Sequence, residues 1–74
     1  MKYVIENLST GEWYHATNID VYLRKMSAIL TNSFNRACRV SHMEADRILK
    51  EEIGTEGYAV VPVSWYNEDG KLRR

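Results

Sequence analysis

Three side chains in this sequence have the chemistry of metal ligands or of a nucleophile with its base: Cys38, His42 and His15. Cys38 and His42 stand four positions apart, and His15 comes from a distant part of the chain. Structural zinc sites normally draw four ligands from paired Cys and His motifs, and a nucleophilic site also needs an orienting acid and an oxyanion hole. We therefore assign no metal ligand and no catalytic residue, and interpret Cys38 as a buried thiol and His42 as an exposed imidazole.

The small polar residues and the glycines suit turns and caps better than a reaction. Ser9 and Thr10 belong to a predicted turn, and Ser41 stands at the start of a predicted helix. The four glycines are scattered singly, so no phosphate-binding loop is indicated. A domain of 74 residues rarely encloses a reaction pocket. We expect a protein that is not an enzyme and binds no cofactor.

Aromatic residues are the first feature that indicates binding. Six of them lie on predicted strands: Tyr3, Trp13, Tyr14, Tyr58, Trp65 and Tyr66. Adjacent residues on a strand point to opposite faces, so both faces of the sheet carry large rings. If helices cover only one face, the other exposes rings that could anchor a protein partner or stack on unpaired bases. We name Trp13, Tyr14, Trp65 and Tyr66 as candidate anchors; packing of these rings across strands or under a loop is the alternative.

Charge is the second feature, because it sums to zero yet is unevenly placed. The cations Arg24, Lys25, Arg36 and Arg39 occur in residues 21–40 without any acid, whereas residues 41–70 carry seven acids against two cations. Such a dipole would steer an oppositely charged partner or pair two copies of the chain. The alternative is two ordinary solvated faces. The acidic second helix argues against duplex DNA as a partner, since phosphates would repel it.

Local patterns predict the elements that hold these residues. β-Branched and aromatic residues on either side of Leu8–Gly11 predict an N-terminal β-hairpin. Apolar residues at spacings of three and four, from Ile19 to Leu30, predict a helix over residues 19–31. Residues 37–40 are interpreted as a short third strand, with continuation of the first helix as the alternative.

The second half of the chain has clearer signals. Ser41 and Glu44 form a capping box, in which the hydroxyl accepts the Glu44 amide and the carboxylate bonds back. The helix that begins there should bury Ala45, Ile48, Leu49 and Ile53, pair Asp46 with Lys50 and end at Gly54 with left-handed backbone. A last strand over residues 58–66 contains Pro62, which belongs on an edge or at a bulge. Residues 67–70 are predicted to form a turn.

Together these elements predict a small α+β domain over residues 1–70, in the order β-β-α-β-α-β, with two helices packed on one face of a single sheet. The alternative is a hairpin and one terminal strand clasped around two long helices. Residues 71–74 are predicted to be a frayed basic tail. The start of the chain reaches an acid after three apolar residues, and no run approaches a membrane span, so we expect a cytoplasmic protein without membrane contact.

The order of several short segments resembles small accessory proteins of tailed bacteriophages. These segments are Lys2–Asn7 with the Thr10-Gly11 turn, Arg36–Val40, Ala45–Lys50 and Val60–Val63. The resemblance implies a protein that binds a host protein and inhibits or redirects it, and it carries no catalytic residues.

The sequence therefore predicts a non-enzymatic protein-binding module, with a second copy of the chain among its partners. Trp13, Tyr14, Trp65 and Tyr66 would anchor the partner, and Arg24, Lys25, Arg36 and Arg39 would steer it. The alternative function is single-stranded nucleic-acid binding by the same rings and the basic segment.

Overall fold

A computed structural model of the chain describes residues 1–72. Four antiparallel strands form one sheet in the spatial order β3-β2-β1-β4: β1 (Tyr3–Asn7), β2 (Trp13–Asp20), β3 (Lys25–Thr31) and β4 (Tyr58–Pro62). One helix, α1 (His42–Ile48), continues into a π-helical segment, Leu49–Ile53. The described part of the chain is thus a small α+β fold, as predicted, but its element order is β-β-β-α-β and it has one helix where we predicted two.

The predicted helix over residues 19–31 is wrong. Its residues form the end of β2, a turn at residues 21–24 and the whole of β3. The Asp20 carboxylate accepts the backbone N–H groups of Tyr22 and Leu23, at 3.0 and 2.9 Å. These bonds stabilise the hairpin turn, which occupies the residues where the predicted helix would have begun. Beyond the turn, β3 pairs with β2, so Met26 stands opposite Ile19. The apolar spacing fits a helix, but most of these side chains are exposed and line no core.

The N-terminal hairpin is confirmed. Gly11 has φ +76°, and the Asn7 side-chain oxygen accepts the backbone N–H groups of Ser9 and Thr10. The pairing of β1 with β2 is short, because Glu6 and Trp13 are the registered pair and the two strands diverge beyond them. The sheet therefore consists of two longer ladders, β2 with β3 and β1 with β4, joined near the hairpin loop.

Residues 38–40 lie between the diverging strands and hydrogen-bond to both. The Cys38 amide donates to the Tyr14 carbonyl at 2.9 Å, and Tyr3 and Val40 exchange two backbone hydrogen bonds of 2.7 and 3.0 Å. The segment forms a single bridge at Val40 and no full ladder, so the predicted third strand is an extended connection. It also does not continue a helix.

The helix after Ser41 matches its prediction closely. The Ser41 hydroxyl accepts the Glu44 amide at 3.2 Å, and Lys50 pairs with Asp46 at 2.9 Å. The Glu44 carboxylate pairs with Arg47, so the cap lacks the reciprocal bond that we predicted. Gly54 ends the helical segment with φ +86° and ψ 153°, which is a positive φ without the left-handed helical ψ.

Both faces of the sheet are covered near the hairpin loop, which corrects the prediction that one face is open. The helix packs on one face, where Ile5, Tyr14, Ala45, Ile48 and Leu49 form a buried cluster. The opposite face holds a second cluster of Val4, Trp13, Ala37, Val61 and Tyr66, with Phe34, Ala59 and Val63 at its border. Segments without regular structure thus cover the second face and complete the core.

The C-terminal segment follows the prediction in part. Pro62 ends the edge strand β4, where its missing N–H costs no ladder bond. The turn at residues 67–70 is formed, with the Asn67 side chain accepting the amides of Asp69 and Lys71. Of the predicted tail at 71–74, Leu72 bridges to Tyr66, and residues 73–74 lie outside the described residues.

Candidate functional site

The longest run of exposed residues in the described part of the chain, 21–27, lies in the distal half of the β2–β3 hairpin. We call residues 18–27 the arm, and its turn residues Val21, Tyr22, Leu23 and Arg24 the tip. None of the arm residues is buried, and the molecule measures 43 × 23 × 19 Å, so it is elongated. The last bond between the helical segment and the hairpin before the arm joins the Thr17 hydroxyl to Glu52, at 2.5 Å. The arm thus extends beyond both cores.

The tip has a defined backbone conformation. Asp20 and Lys25 close the turn as a registered cross-strand pair, and the Asp20 carboxylate accepts two tip amides. Arg24 has φ +51°, and it is the one non-glycine residue with positive φ in the described part of the chain. Such a conformation costs an L-residue about 1 kcal/mol, and strained residues of this kind concentrate at functional sites.

The tip carries apolar side chains where a turn normally carries polar ones. Tyr22 is 96% exposed, and Val21 and Leu23 on either side of it are exposed as well. The pair Ile19 and Met26 extends this apolar surface onto the sheet face that also carries the helix. These five residues form one exposed patch, which we call the apolar tip cluster. Large exposed apolar patches on a small protein mark binding surfaces.

Two cations stand beside the apolar tip cluster. Arg24 follows Leu23 in the turn, and Lys25 begins β3. Within residues 1–72 neither cation forms an ion pair, and the Asp20 carboxylate is engaged by backbone amides. The ion pairs found in that part of the chain lie on the helix and join Arg47 and Lys50 to nearby acids. The tip therefore presents positive charge and apolar surface together.

Three of the four predicted anchors are buried, which corrects their assignment as surface contacts. Trp13 and Tyr66 lie in the core opposite the helix, and Tyr14 lies in the core beneath it. The physical reason is the second layer of irregular segments, which covers the face that we expected to be open. Trp65 alone is exposed, at 58%, as a surface anchor would have to be. It lies in a 3-10 turn at Val63–Trp65 after β4, and the strand predicted to run through it ends at Pro62.

The four predicted steering cations do not form one patch. Arg36 and Arg39 lie near the Trp13 end of β2, where the Arg39 guanidinium stacks 4.6 Å from the Phe34 ring centre and donates to the Ala37 carbonyl at 3.2 Å. Arg24 and Lys25 adjoin the other end of β2, roughly 20 Å away along the strand. Arg39 thus supports a loop, and Arg24 and Lys25 are the cations at the exposed tip.

The Cys and His residues take structural positions. Cys38 is half-buried at the border of the core beneath the helix, and burial together with the Glu44 charge raises the pKa of its thiol. His15 Nδ1 lies 2.7 Å from the Arg36 carbonyl oxygen, and the His42 ring packs edge-on against Tyr3 at 5.1 Å. In the part of the chain that the structure describes, no three His, Cys, Asp or Glu side chains converge as a metal site would require.

The apolar tip cluster was missed because four of its five residues, all except Val21, were assigned to the apolar stripe of a helix. Two signals in the sequence could have found it. Asp20 followed by Val21 and Tyr22 suits an Asx turn, and the β-branched residues Ile19, Val21 and Ile29 favour strands over a helix.

Comparison with known proteins gives no relative: no family model, curated protein or solved structure matches this chain. Among the described residues, no helix is both long and apolar enough to cross a membrane.

Proposed function

We propose that the protein is a binding module that captures a protein partner with the tip of its arm. The observation that carries this proposal is the exposure of Tyr22, at 96%, in the middle of the apolar tip cluster. Tyr is among the residues that most often dominate the energy of protein interfaces, because a rigid ring buries a large area at a low cost in conformational entropy.

The way the tip is held supports this role. Backbone hydrogen bonds to Asp20 and the closing pair of Asp20 with Lys25 order the turn before any partner arrives. Binding through a turn that is already ordered costs less conformational entropy than binding through a flexible loop that must first become ordered. The helical segment bonds to Thr17 at the base of the arm and supports it.

The chemistry of the tip predicts the chemistry of the partner. Val21, Tyr22 and Leu23 fit an apolar pocket, and Arg24 and Lys25 fit acidic groups around its rim. Rim charges of this kind raise the association rate, and salt weakens their effect. The resemblance to phage accessory proteins would make the partner a bacterial host protein, which extends the proposal to inhibition or redirection of that protein.

A photo-crosslinking experiment tests the proposal directly. A photoreactive phenylalanine analogue at position 22 should crosslink one protein in a bacterial lysate, and the same analogue at Met43 should not. Met43 is a matched control, since it is 82% exposed and lies on the helix. Crosslinking to nucleic acid at position 22 would favour the alternative function of single-stranded nucleic-acid binding.

Measuring the dissociation constant of the protein with the partner identified in this way then completes the test. Tyr22→Ser should weaken binding by roughly 30-fold, as expected for a hot-spot residue, and Met43→Ser by less than about 2-fold. The dissociation constant should also rise with salt in the wild type, and rise less in Arg24→Ala. Equal effects of the two Ser variants on affinity would contradict the proposal.

A further inference from the structure

The outer edge of β3 is a second unpaired surface, separate from the tip. β3 is an edge strand, and in residues 1–72 its backbone pairs with β2 alone. Natural edge strands are usually protected by charged residues, proline or bulges. Lys25 is the one charged residue of β3, at its first position, and the strand has no proline. The opposite edge strand, β4, ends in Pro62.

The chain exposes more surface than a compact monomer of its mass. Its accessible surface is 5383 Å², and a compact monomer of 8.6 kDa exposes about 4,700 Å². The surplus of about 700 Å² is close to the roughly 800 Å² that each partner contributes to a standard protein interface. The exposed arm, which includes Lys25–Ser27 of β3, contributes to this surplus, and one interface along β3 would cover a comparable area.

We propose that a second copy of this chain covers the β3 edge, in an antiparallel pair with a two-fold axis at Ala28. The two sheets would then join into one sheet of eight strands. In this register Met26 faces Leu30 of the second copy, and Ser27 faces Ile29 of the second copy. Met26, Ala28 and Leu30 share the face that carries the helix, so the apolar side chains of both copies meet on one side.

The charges of the chain do not oppose pairing of β3 with a second copy. In the two-fold register Lys25 faces Thr31 of the second copy, so no like charges are opposed along the edge. The net charge of the chain is zero, and two copies therefore do not repel each other as a whole. The two tips, residues 21–24, would lie at opposite ends of the joined strands and stay free for the partner proposed above, while Lys25 and Met26 lie where the two surfaces adjoin; the inference goes beyond that function.

Sedimentation velocity with charge-pair variants tests the register. The wild type should shift toward twice its 8.6 kDa mass as concentration rises. Ser27→Lys with Ile29→Lys, and Ser27→Glu with Ile29→Glu, each oppose like charges twice and should raise the dimer dissociation constant at least on the order of 10-fold. Positions 27 and 29 are exposed, and circular dichroism checks that each variant folds. An equimolar mixture of the Lys and Glu variants should restore the dimer, which a folding defect would not do.

The control adds two lysines away from β3, Asn35→Lys with Ser64→Lys, and should dimerise like the wild type; both positions are exposed. Hydrogen exchange of the wild type gives a test without variants: β3 amides should gain protection with concentration, and amides of the hairpin loop at 8–11 should not. Tyr22→Ser should remain dimeric, and the monomeric Lys variant should keep the tip crosslink if the proposed function holds.

A wild type that stays monomeric up to about 1 mM would overturn the inference. A dimer that the paired charges leave intact, that the mixture fails to restore, or that Tyr22→Ser abolishes would overturn it as well, because the contact would then lie elsewhere. None of these outcomes depends on whether the tip binds another protein.

Discussion

The rings of Trp13 and Tyr66 pack edge to face in the interior, with centroids 5.7 Å apart and planes at 84°. The Phe34 ring contacts both, at 5.2 and 5.0 Å, and completes an aromatic cluster on the face opposite the helix. Trp13 comes from the first hairpin and Tyr66 from the segment after β4, so this contact ties the two ends of the domain together. The rings that looked like binding anchors in the sequence therefore stabilise the fold.

The two tryptophans should differ sharply in their contribution to stability. Trp13→Ala removes a buried ring and should lower the free energy of unfolding by about 3–5 kcal/mol, a large part of the stability of a domain of this size. Trp65→Ala removes a ring that is 58% exposed and should change it by no more than about 0.5 kcal/mol. Urea denaturation followed by far-ultraviolet circular dichroism measures both. Similar losses in the two variants would show that Trp65 also belongs to the core.

Gly70 should tolerate alanine much less well than Gly57. Both have positive φ, +79° and +85°, so the backbone cost of alanine is about 1 kcal/mol in each. A Cβ at Gly70 would lie 2.7 Å from the Phe34 Cβ and 3.0 Å from the Trp13 ring, whereas one at Gly57 meets open space. Gly70→Ala should therefore cost a further 1–3 kcal/mol or so, by overpacking the aromatic cluster. Thermal unfolding of the two variants side by side isolates the cost of this steric contact. Equal melting temperatures would contradict the predicted overpacking.

Tyr66→Phe should preserve or raise stability at pH 7. The Tyr66 hydroxyl and the Trp13 Nε1 are both buried without a hydrogen bond of normal geometry. Burial raises the pKa of the Tyr66 phenol, and the nearby Trp13 indole opposes this shift only in part. Removing the unsatisfied oxygen should raise the free energy of unfolding by on the order of 1 kcal/mol. The control Tyr22→Phe removes an exposed hydroxyl and should leave the free energy of unfolding unchanged.

The same substitution should reduce alkaline unfolding. Because the folded pKa of Tyr66 exceeds its unfolded value of about 10, the unfolded chain loses the proton first and stability falls as pH rises through that value. Tyr14 and Cys38, whose pKa values burial also raises, contribute in the same direction, with the thiol beginning near pH 9. Denaturation midpoints between pH 7 and 11 should decline less in Tyr66→Phe than in the wild type. An identical slope would contradict the buried position of the phenol.

Arg24→Gly should stabilise the fold and weaken partner capture. Glycine adopts the φ of +51° without the steric cost of about 1–2 kcal/mol that Arg24 carries, and this gain exceeds the extra backbone entropy that glycine loses on folding, so the free energy of unfolding should rise by up to about 1 kcal/mol. Lys25→Ala removes the same charge without relieving any backbone strain and serves as the control. Both variants should slow association with an acidic partner at low salt, and only the glycine variant should unfold at a higher temperature. A lower unfolding temperature in Arg24→Gly would mean that its side chain holds the turn.

Local signals in the sequence predicted the elements that depend on near neighbours. The hairpin loop at Asn7–Gly11 and the Ser41 cap rest on side-chain bonds that span two or three residues, so they could be recognised without the rest of the chain. The apolar stripe of α1 could be recognised from the sequence because its residues pack against the core. The same spacing between residues 19 and 30 was misleading, since it arises there from a hairpin whose apolar residues face solvent.

The candidate site could be predicted only in its composition. Arg24 and Lys25 were recognised as cations without acidic neighbours in sequence, and both lie at the tip. Tyr22 was not recognised, because a helix would have buried it. Whether Trp13 or Trp65 reaches solvent depends on what covers the second face of the sheet, and the covering residues, Phe34 and Val63 among them, come from segments with no regular pattern.

By itself the sequence determined a small α+β chain with balanced charge, one well-capped helix and a glycine-containing hairpin, because each of these depends on composition or on bonds between close residues. Only the tertiary structure decided which rings are buried, where the sheet divides and which strands lie at its edges. These features arise from contacts between residues distant in sequence, as in the pairing of Cys38 with Tyr14 and of Trp13 with Tyr66. The free energy of such contacts depends on how surfaces fit in three dimensions, which no local pattern encodes.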